Sequence, residues 1–180
     1  MNVDSEPIAD FAAEVIGFDF DAIFRAEHVR ISRIIARIVR DPGRAEELAA
    51  EVFWKLFRTS KAQGPKASGW LYRTATRIAI DELRRQTRRD RCEWLYSSPA
   101  RIATPEDLHF RNDERQRLRL ILASMKTHRA QLLVLHSEGF TYEEIAATLT
   151  LNPASVGTLL SRAEEELRTR YIKRYGAVIR

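Results

Sequence analysis

The sequence predicts an all-α fold of two small helical domains joined by a flexible linker. Three observations carry this expectation. Apolar residues recur at three- and four-residue spacing along most of the 180-residue chain, as one face of a helix requires. Only 7 Gly and 6 Pro interrupt it, too few for a turn-rich β fold. No run alternates apolar and polar residues over the length of a strand.

Residues 1–17 form an acidic N-terminal extension, with Asp4, Glu6, Asp10 and Glu14 and no Lys or Arg. The first helical domain is expected over residues 18–91. Its opening helix carries Ile31, Ile34, Ile35 and Ile38 between arginines. Asp41-Pro42-Gly43 ends it, with Asp41 as N-cap and Pro42 as first residue of the next helix. That second helix, RAEELAAEVFWKLF, places Leu48, Val52 and Leu56 on one stripe. A loop from Ser60 to Gly69 follows, and helix resumes near Trp70 through Leu71, Ala75, Ile78 and Leu83 into an arginine-rich end.

Residues 92–112 hold Ser97-Ser98-Pro99 and Thr104-Pro105 without a sustained period, and read as the linker. The second domain, 113–180, opens on Leu118, Ile121, Leu122 and Met125. Thr127 is the expected cap of a short helix that stops at Gly139. Thr141 and Glu144 form a capping box, and Asn152-Pro153 start the last helix, through Val156, Leu160, Ala163 and Leu167.

Composition excludes several classes. No apolar run approaches the roughly 18–20 residues of a membrane span, and the acidic start lacks the pattern of a signal peptide. A cytoplasmic location is expected. Cys92 is the single cysteine, so neither an internal disulfide nor a multi-cysteine zinc site can form. His28, His109, His128 and His136 lack metal-ligand spacing, and no phosphate-binding glycine loop or nucleophile elbow is present. Neither enzyme chemistry, a metal nor a cofactor is expected.

The net charge of +5 is uneven: residues 59–91 carry nine bases against three acids. A polyanion would feel this local excess, because screening limits each charge to about 8–10 Å. Within it, Lys61 and Lys66 suit phosphates, Trp70 suits base stacking, and Arg73, Arg77, Arg84 and Arg85 extend the basic surface. A core role for Trp70 and Tyr72 is the competing reading. The capped helices at 141–149 and 153–170 have helix-turn-helix proportions, which occur with and without DNA binding. Ser155, Gly157, Thr158, Ser161 and Arg162 are the small or polar positions of its second helix, and Glu164 to Glu166 would repel phosphate. Glu47 and Glu51 are like charges at i,i+4, which cost a few tenths of a kcal/mol. Their presence suits a basic partner surface or a solvated face.

In this order the features resemble a known family. IFRAEHVRISRIIARIVRD, RAEELAAEVFWKLF and GWLYRTATRIAIDELRR resemble the sigma-2 domain of bacterial extracytoplasmic-function (ECF) sigma factors, a helical bundle. EGFTYEEIAATLTLNPASVGTLLSRAEEEL resembles their sigma-4 helix-turn-helix domain. The resemblance implies that Glu46, Glu47, Leu48, Glu51 and Phe53 dock on the β′ clamp helices of core RNA polymerase, with the β subunit as a further partner. It implies that the 60–69 loop, with Lys61, Gln63 and Lys66, captures a flipped base of the −10 promoter element. Trp70, Arg73, Arg77, Arg84 and Arg85 would flank the melted strand. Thr141, Tyr142 and Glu143 would approach a phosphate, and Ser155, Gly157, Thr158, Ser161 and Arg162 would read the −35 element. Two departures bear on promoter preference: Arg77 stands where such proteins often have Asn, and Gly157, Leu159 and Glu164 stand where they often have basic residues.

The resulting expectation is a promoter-specificity subunit that binds core polymerase and helps melt the −10 region, with an anti-sigma factor as an open candidate partner and no membrane insertion. Two rivals stay open on sequence alone. One is a stand-alone helix-turn-helix regulator; the other is a sigma mimic that titrates an anti-sigma factor.

Overall fold

The computed structural model describes residues 18–96 and 114–176, with side chains of the first segment to Cys92. These residues form seven helices: α1 Phe20–Val39, α2 Pro42–Phe57, α3 Ala67–Tyr96, α4 Glu114–Ser124, α5 Thr127–Ser137, α6 Tyr142–Leu149 and α7 Pro153–Tyr175. The acidic extension and linker residues 97–112 lie outside the described residues.

Local chemistry sets most boundaries where the sequence puts them. Asp19 caps α1 by accepting from Ala22 N at 2.8 Å, and Asp41 caps α2 by accepting from Arg44 N at 3.0 Å. Arg40, between them, takes the left-handed conformation (φ 58°) that turns the chain. Asn152 Oδ1 accepts from Ala154 N at 3.0 Å, and both bonds of the Thr141–Glu144 capping box are present.

Four local features differ from the expectation. Helix α3 begins at Ala67, not near Trp70, because Ala67 N already donates to Gly64 O at 3.0 Å and Trp70 N to Lys66 O at 3.0 Å. A 3-10 turn, Ser60–Ala62, occupies the start of the expected loop. At its other end α3 runs unbroken to Tyr96, into the segment expected as linker. Thr127 does not cap α5: Lys126 holds the cap position without a side-chain bond, and Thr127 Oγ1 instead accepts from Arg84.

Helix α3 is shared by both halves of the chain. One face packs on α1 and α2, with Leu71, Ala75, Ala79 and Leu83 against Ile31, Ile35, Leu48, Val52 and Leu56. The other packs on α4, α5 and α6. One apolar cluster therefore runs from Ile31 across α3 to Leu132, Leu135, Phe140 and Ile145, and a second joins Ile80 to Ile121, Met125, Ala163 and Tyr171. Burial of this continuous apolar surface, at about 25 cal/mol per Å2, is what holds the halves together.

Candidate nucleic-acid and polymerase interface

Helix α2 presents one face outward. Glu46, Glu47 and Glu51 are exposed on it, each beside a base: Glu46 lies 3.4 Å from His28 Nε2, Glu47 2.7 Å from Arg44 and Glu51 2.5 Å from Lys55. Glu47, then Glu82, raises the Arg44 guanidinium above its ordinary value through hydrogen bonds. Exposed pairs of this kind contribute about 0–1 kcal/mol, so a partner's cations can replace them. Leu48 and Phe53, expected in the docking set, are turned away from this face. They are 1% and 2% exposed, because the helical period turns them into the core while Glu47 and Glu51 face water. The outward apolar residues are Trp54 and Phe57, 56% and 64% exposed, with Arg58 stacked on Trp54 at 4.9 Å. Sequence reading missed both; the i+7 step from Glu47 to Trp54 was the available signal.

Below the C-terminus of α2, the chain folds a small cavity of about 350 Å3. Lys61, Gln63, Lys66, Trp70 and Arg73 line it, as the sequence grouped them. Gln63 also anchors the loop, donating to Leu56 O at 3.2 Å and Phe57 O at 2.9 Å. Beside it a groove of about 620 Å3 continues along α3, lined by Trp70, Arg73, Arg77 and Arg85 on one side and Glu51 and Lys55 of α2 on another.

The second half of the chain closes over this region. Ala147, Thr148 and Thr150 of the α6 end form the far wall of the cavity. Arg73 Nη1 donates to Thr150 Oγ1 at 3.0 Å, and Gln131 Nε2 donates to Arg73 O at 2.9 Å and Thr76 Oγ1 at 3.0 Å. Phe140 meets the Tyr72 ring edge-on at 4.8 Å, with the Arg30 guanidinium 4.3 Å from the Phe140 ring. Burial, then a hydrogen bond to Glu27, pushes the Tyr72 hydroxyl above its ordinary value. Tyr72 is therefore a core residue, and Trp70 is half-buried at the cavity wall.

Arg84 departs most from its expected place. Its guanidinium points away from the groove and donates to Ala123 O at 3.0 Å, Met125 O at 2.7 Å and Thr127 Oγ1 at 2.8 Å, at the α4–α5 junction. In the mirror arrangement, Arg119 of α4 donates to Ile38 O at 2.8 Å and Val39 O at 3.0 Å, at the end of α1. Each arginine satisfies carbonyls that a helix end leaves without partners.

The helix-turn-helix of α6 and α7 keeps its reading face in solvent. Thr141, Tyr142, Glu143, Ser155, Thr158, Ser161 and Arg162 are exposed. Gly157 has a packing reason: a Cβ there would meet Tyr142 Cε2 at 3.4 Å, so the tyrosine ring lies across α7 where a larger side chain would crowd it. Thr141 N is already engaged by Glu144 Oε2 at 2.8 Å, so any phosphate contact falls to the next amides. Ser161 Oγ donates back to Gly157 O at 3.0 Å. Of the three acids expected to repel phosphate, Glu166 is withdrawn into a pair with Arg129 and Arg170, and Arg129 holds its carboxyl below the usual range.

Comparison with known proteins matches these two halves separately. Residues 23–89 match the model of Sigma-70 region 2, and residues 115–167 that of Sigma-70, region 4. The chain is 30% identical over 155 residues to the ECF RNA polymerase sigma factor SigE of Mycolicibacterium smegmatis, covering 83% of this chain and 60% of that protein. It is 28% identical over 158 residues to SigK of a Mycobacterium species, covering 83% of this chain and 79% of that one. Among solved structures it is similar to the sigma factor RpoE bound to the anti-sigma factor NepR from Bartonella quintana, with TM-score 0.47 and 18% identity, covering 86% of this chain and 97% of that one. With region 2 on the helices that build the groove and region 4 on the helix-turn-helix, the chain belongs to the ECF sigma factors of bacterial RNA polymerase.

Proposed function

We propose that this chain directs core RNA polymerase to promoters carrying −10 and −35 elements and helps separate the −10 strands. The observation that carries the assignment of residues is the continuous path from the cavity at Lys61 and Trp70 into the groove at Arg73, Arg77 and Arg85. A cavity beside an aromatic ring, opening onto a row of guanidiniums, suits an extruded base followed by its backbone. Glu47, Glu51 and Trp54 form the docking face for the β′ clamp helices, and Arg162 with Ser155 and Thr158 addresses the −35 major groove. Because α6 walls the cavity, the two halves separate before a strand enters; binding energy from core polymerase supplies that separation.

The test is run-off transcription from fragmented genomic DNA by purified core polymerase, with and without this chain, sequencing RNA 5′ ends. Discrete new starts sharing two upstream elements support the reading. Duplex binding without core, and no new starts, would replace it with a stand-alone regulator.

A further inference from the structure

Glu82 of α3 is 3% exposed, yet three guanidiniums gather on it. Its Oε2 accepts from Arg44 Nη2 at 3.2 Å and lies 3.6 Å from Arg85 Nη1, while Oε1 lies 3.5 Å from Arg89 Nη2. Removing a carboxylate from water is costly unless cations and hydrogen bonds replace the solvent. Three arginines on one carboxylate do more than replace it. Even with Glu47 also on Arg44, they leave an excess of positive charge whose outer members, Arg85 and Arg89, keep 62% and 67% of their side chains in solvent.

This excess sits in a concavity. A cleft of about 870 Å3 opens between the start of α2 and the second half of α3, and Arg88 also lines it. Arg88 makes no ion pair among the described residues. The cleft's second carboxylate, Asp41, is engaged in capping α2. Each arginine has five N–H donors, and Arg89 meets Glu82 through one terminal nitrogen. Donors remain for a second anion.

Arg85 lines both this cleft and the Trp70–Arg77 groove, so the two are continuous. From Arg73 to Arg89 α3 advances about 24 Å at 1.5 Å per residue. That equals about seven base steps at 3.4 Å each, which carries a strand from the groove past the −10 element. We propose that the cleft is a phosphate site for the DNA backbone flanking the −10 element, contacted by Arg85, Arg88 and Arg89, with Glu82 as the positioning residue for Arg85 and Arg89. The proposal rests on the promoter-binding reading above and deepens it. An anchored guanidinium loses less freedom on binding than a free one.

Glu82→Gln separates positioning from charge, because it makes the surface more positive. If charge alone matters, DNA binding tightens; if Glu82 positions the arginines, it weakens. The experiment uses wild-type and variant holoenzyme on fork-junction DNA from a start site found by the run-off assay, with and without the flanking duplex. Glu82→Gln is expected to lower affinity about five- to tenfold only when the flank is present, with core binding unchanged, and Glu82→Asp to recover part of it. Arg88→Ala with Arg89→Ala, both on the surface, is expected to reduce the salt slope by about 2, and Glu82→Gln to add little in that background. Equal or tighter binding by Glu82→Gln, an equal loss without the flank, or an unchanged salt slope in the double variant overturns the proposal. Loss of core binding in the double variant also overturns it, in favour of an acidic protein partner. Absence of promoter-specific starts with wild-type protein is a separate result, and sinks the promoter reading itself.

Discussion

Gly69 faces Thr148 across the two halves of the molecule: a Cβ built on Gly69 would lie 3.6 Å from the Thr148 Cα. One Cα–Cβ bond of about 1.5 Å added to that distance keeps the two Cα atoms within about 5.1 Å, compatible with the roughly 4.4–6.8 Å a cystine spans, so Gly69→Cys with Thr148→Cys, in a Cys92→Ser background, should lock the closed form. The oxidised protein is expected to lose at least tenfold of its promoter-dependent transcription and to regain it on reduction. Full activity while oxidised would show that the −10 cavity is used without opening.

Arg84 offers a test with opposite signs. If it contacts DNA, Arg84→Ala weakens promoter binding. If it serves as the clasp seen here, the variant loses three interdomain bonds and the closed form weakens by about 1–3 kcal/mol. The expected outcome is a larger radius of gyration in small-angle scattering, with promoter binding by holoenzyme equal or tighter.

The α2 surface separates docking from packing. Glu47→Lys with Glu51→Lys, or Trp54→Ala, should weaken core binding about tenfold and move the melting temperature little, since all three residues are exposed. Leu48→Ala should instead cost about 2–5 kcal/mol of stability through the cavity it leaves. Titration of core polymerase alongside thermal melts checks both.

Arg162 is an exposed cation on the reading helix. Its replacement by Ala is expected to cost about 1–3 kcal/mol of initiation if it holds a base edge. The effect should vanish on promoters stripped of their −35 element. Equal losses on both templates would assign it to the backbone instead.

Acid should loosen α7. Arg129, chiefly, holds the Glu166 carboxyl below its ordinary value of 4.5, and the side chain is 14% exposed. A depressed carboxyl contributes its full stability above the ordinary value and loses it as pH falls through the folded one. Glu166→Gln should therefore cost about 1.5–3 kcal/mol near neutrality, and the gap to wild type should narrow toward pH 3. Urea unfolding at several pH values reads this directly; a constant gap would remove the ion pair from the account.

Most of the local structure was legible because its causes are local. Asp41, Thr141 and Asn152 bond to amides two or three residues away, and the isoleucines of α1 repeat at the period that buries them. Thr127 misled for the opposite reason: its hydroxyl has a partner 43 residues away, which no local pattern encodes.

The candidate site divides along the same line. Sequence by itself determined the helical class, the capped helix-turn-helix, the basic stretch with Trp70, and the kinship those motifs carry, because period, caps and charge are properties of neighbouring residues. Tertiary structure decided which residues face outward and which are occupied. It turned Leu48 and Phe53 inward and exposed Trp54, drew Arg84 onto the carbonyls of Ala123 and Met125, and gathered Arg44, Arg85 and Arg89 on Glu82. Those outcomes depend on where distant helices place their unsatisfied carbonyls, carboxylates and apolar faces, and that is fixed only when α3 is packed from both sides.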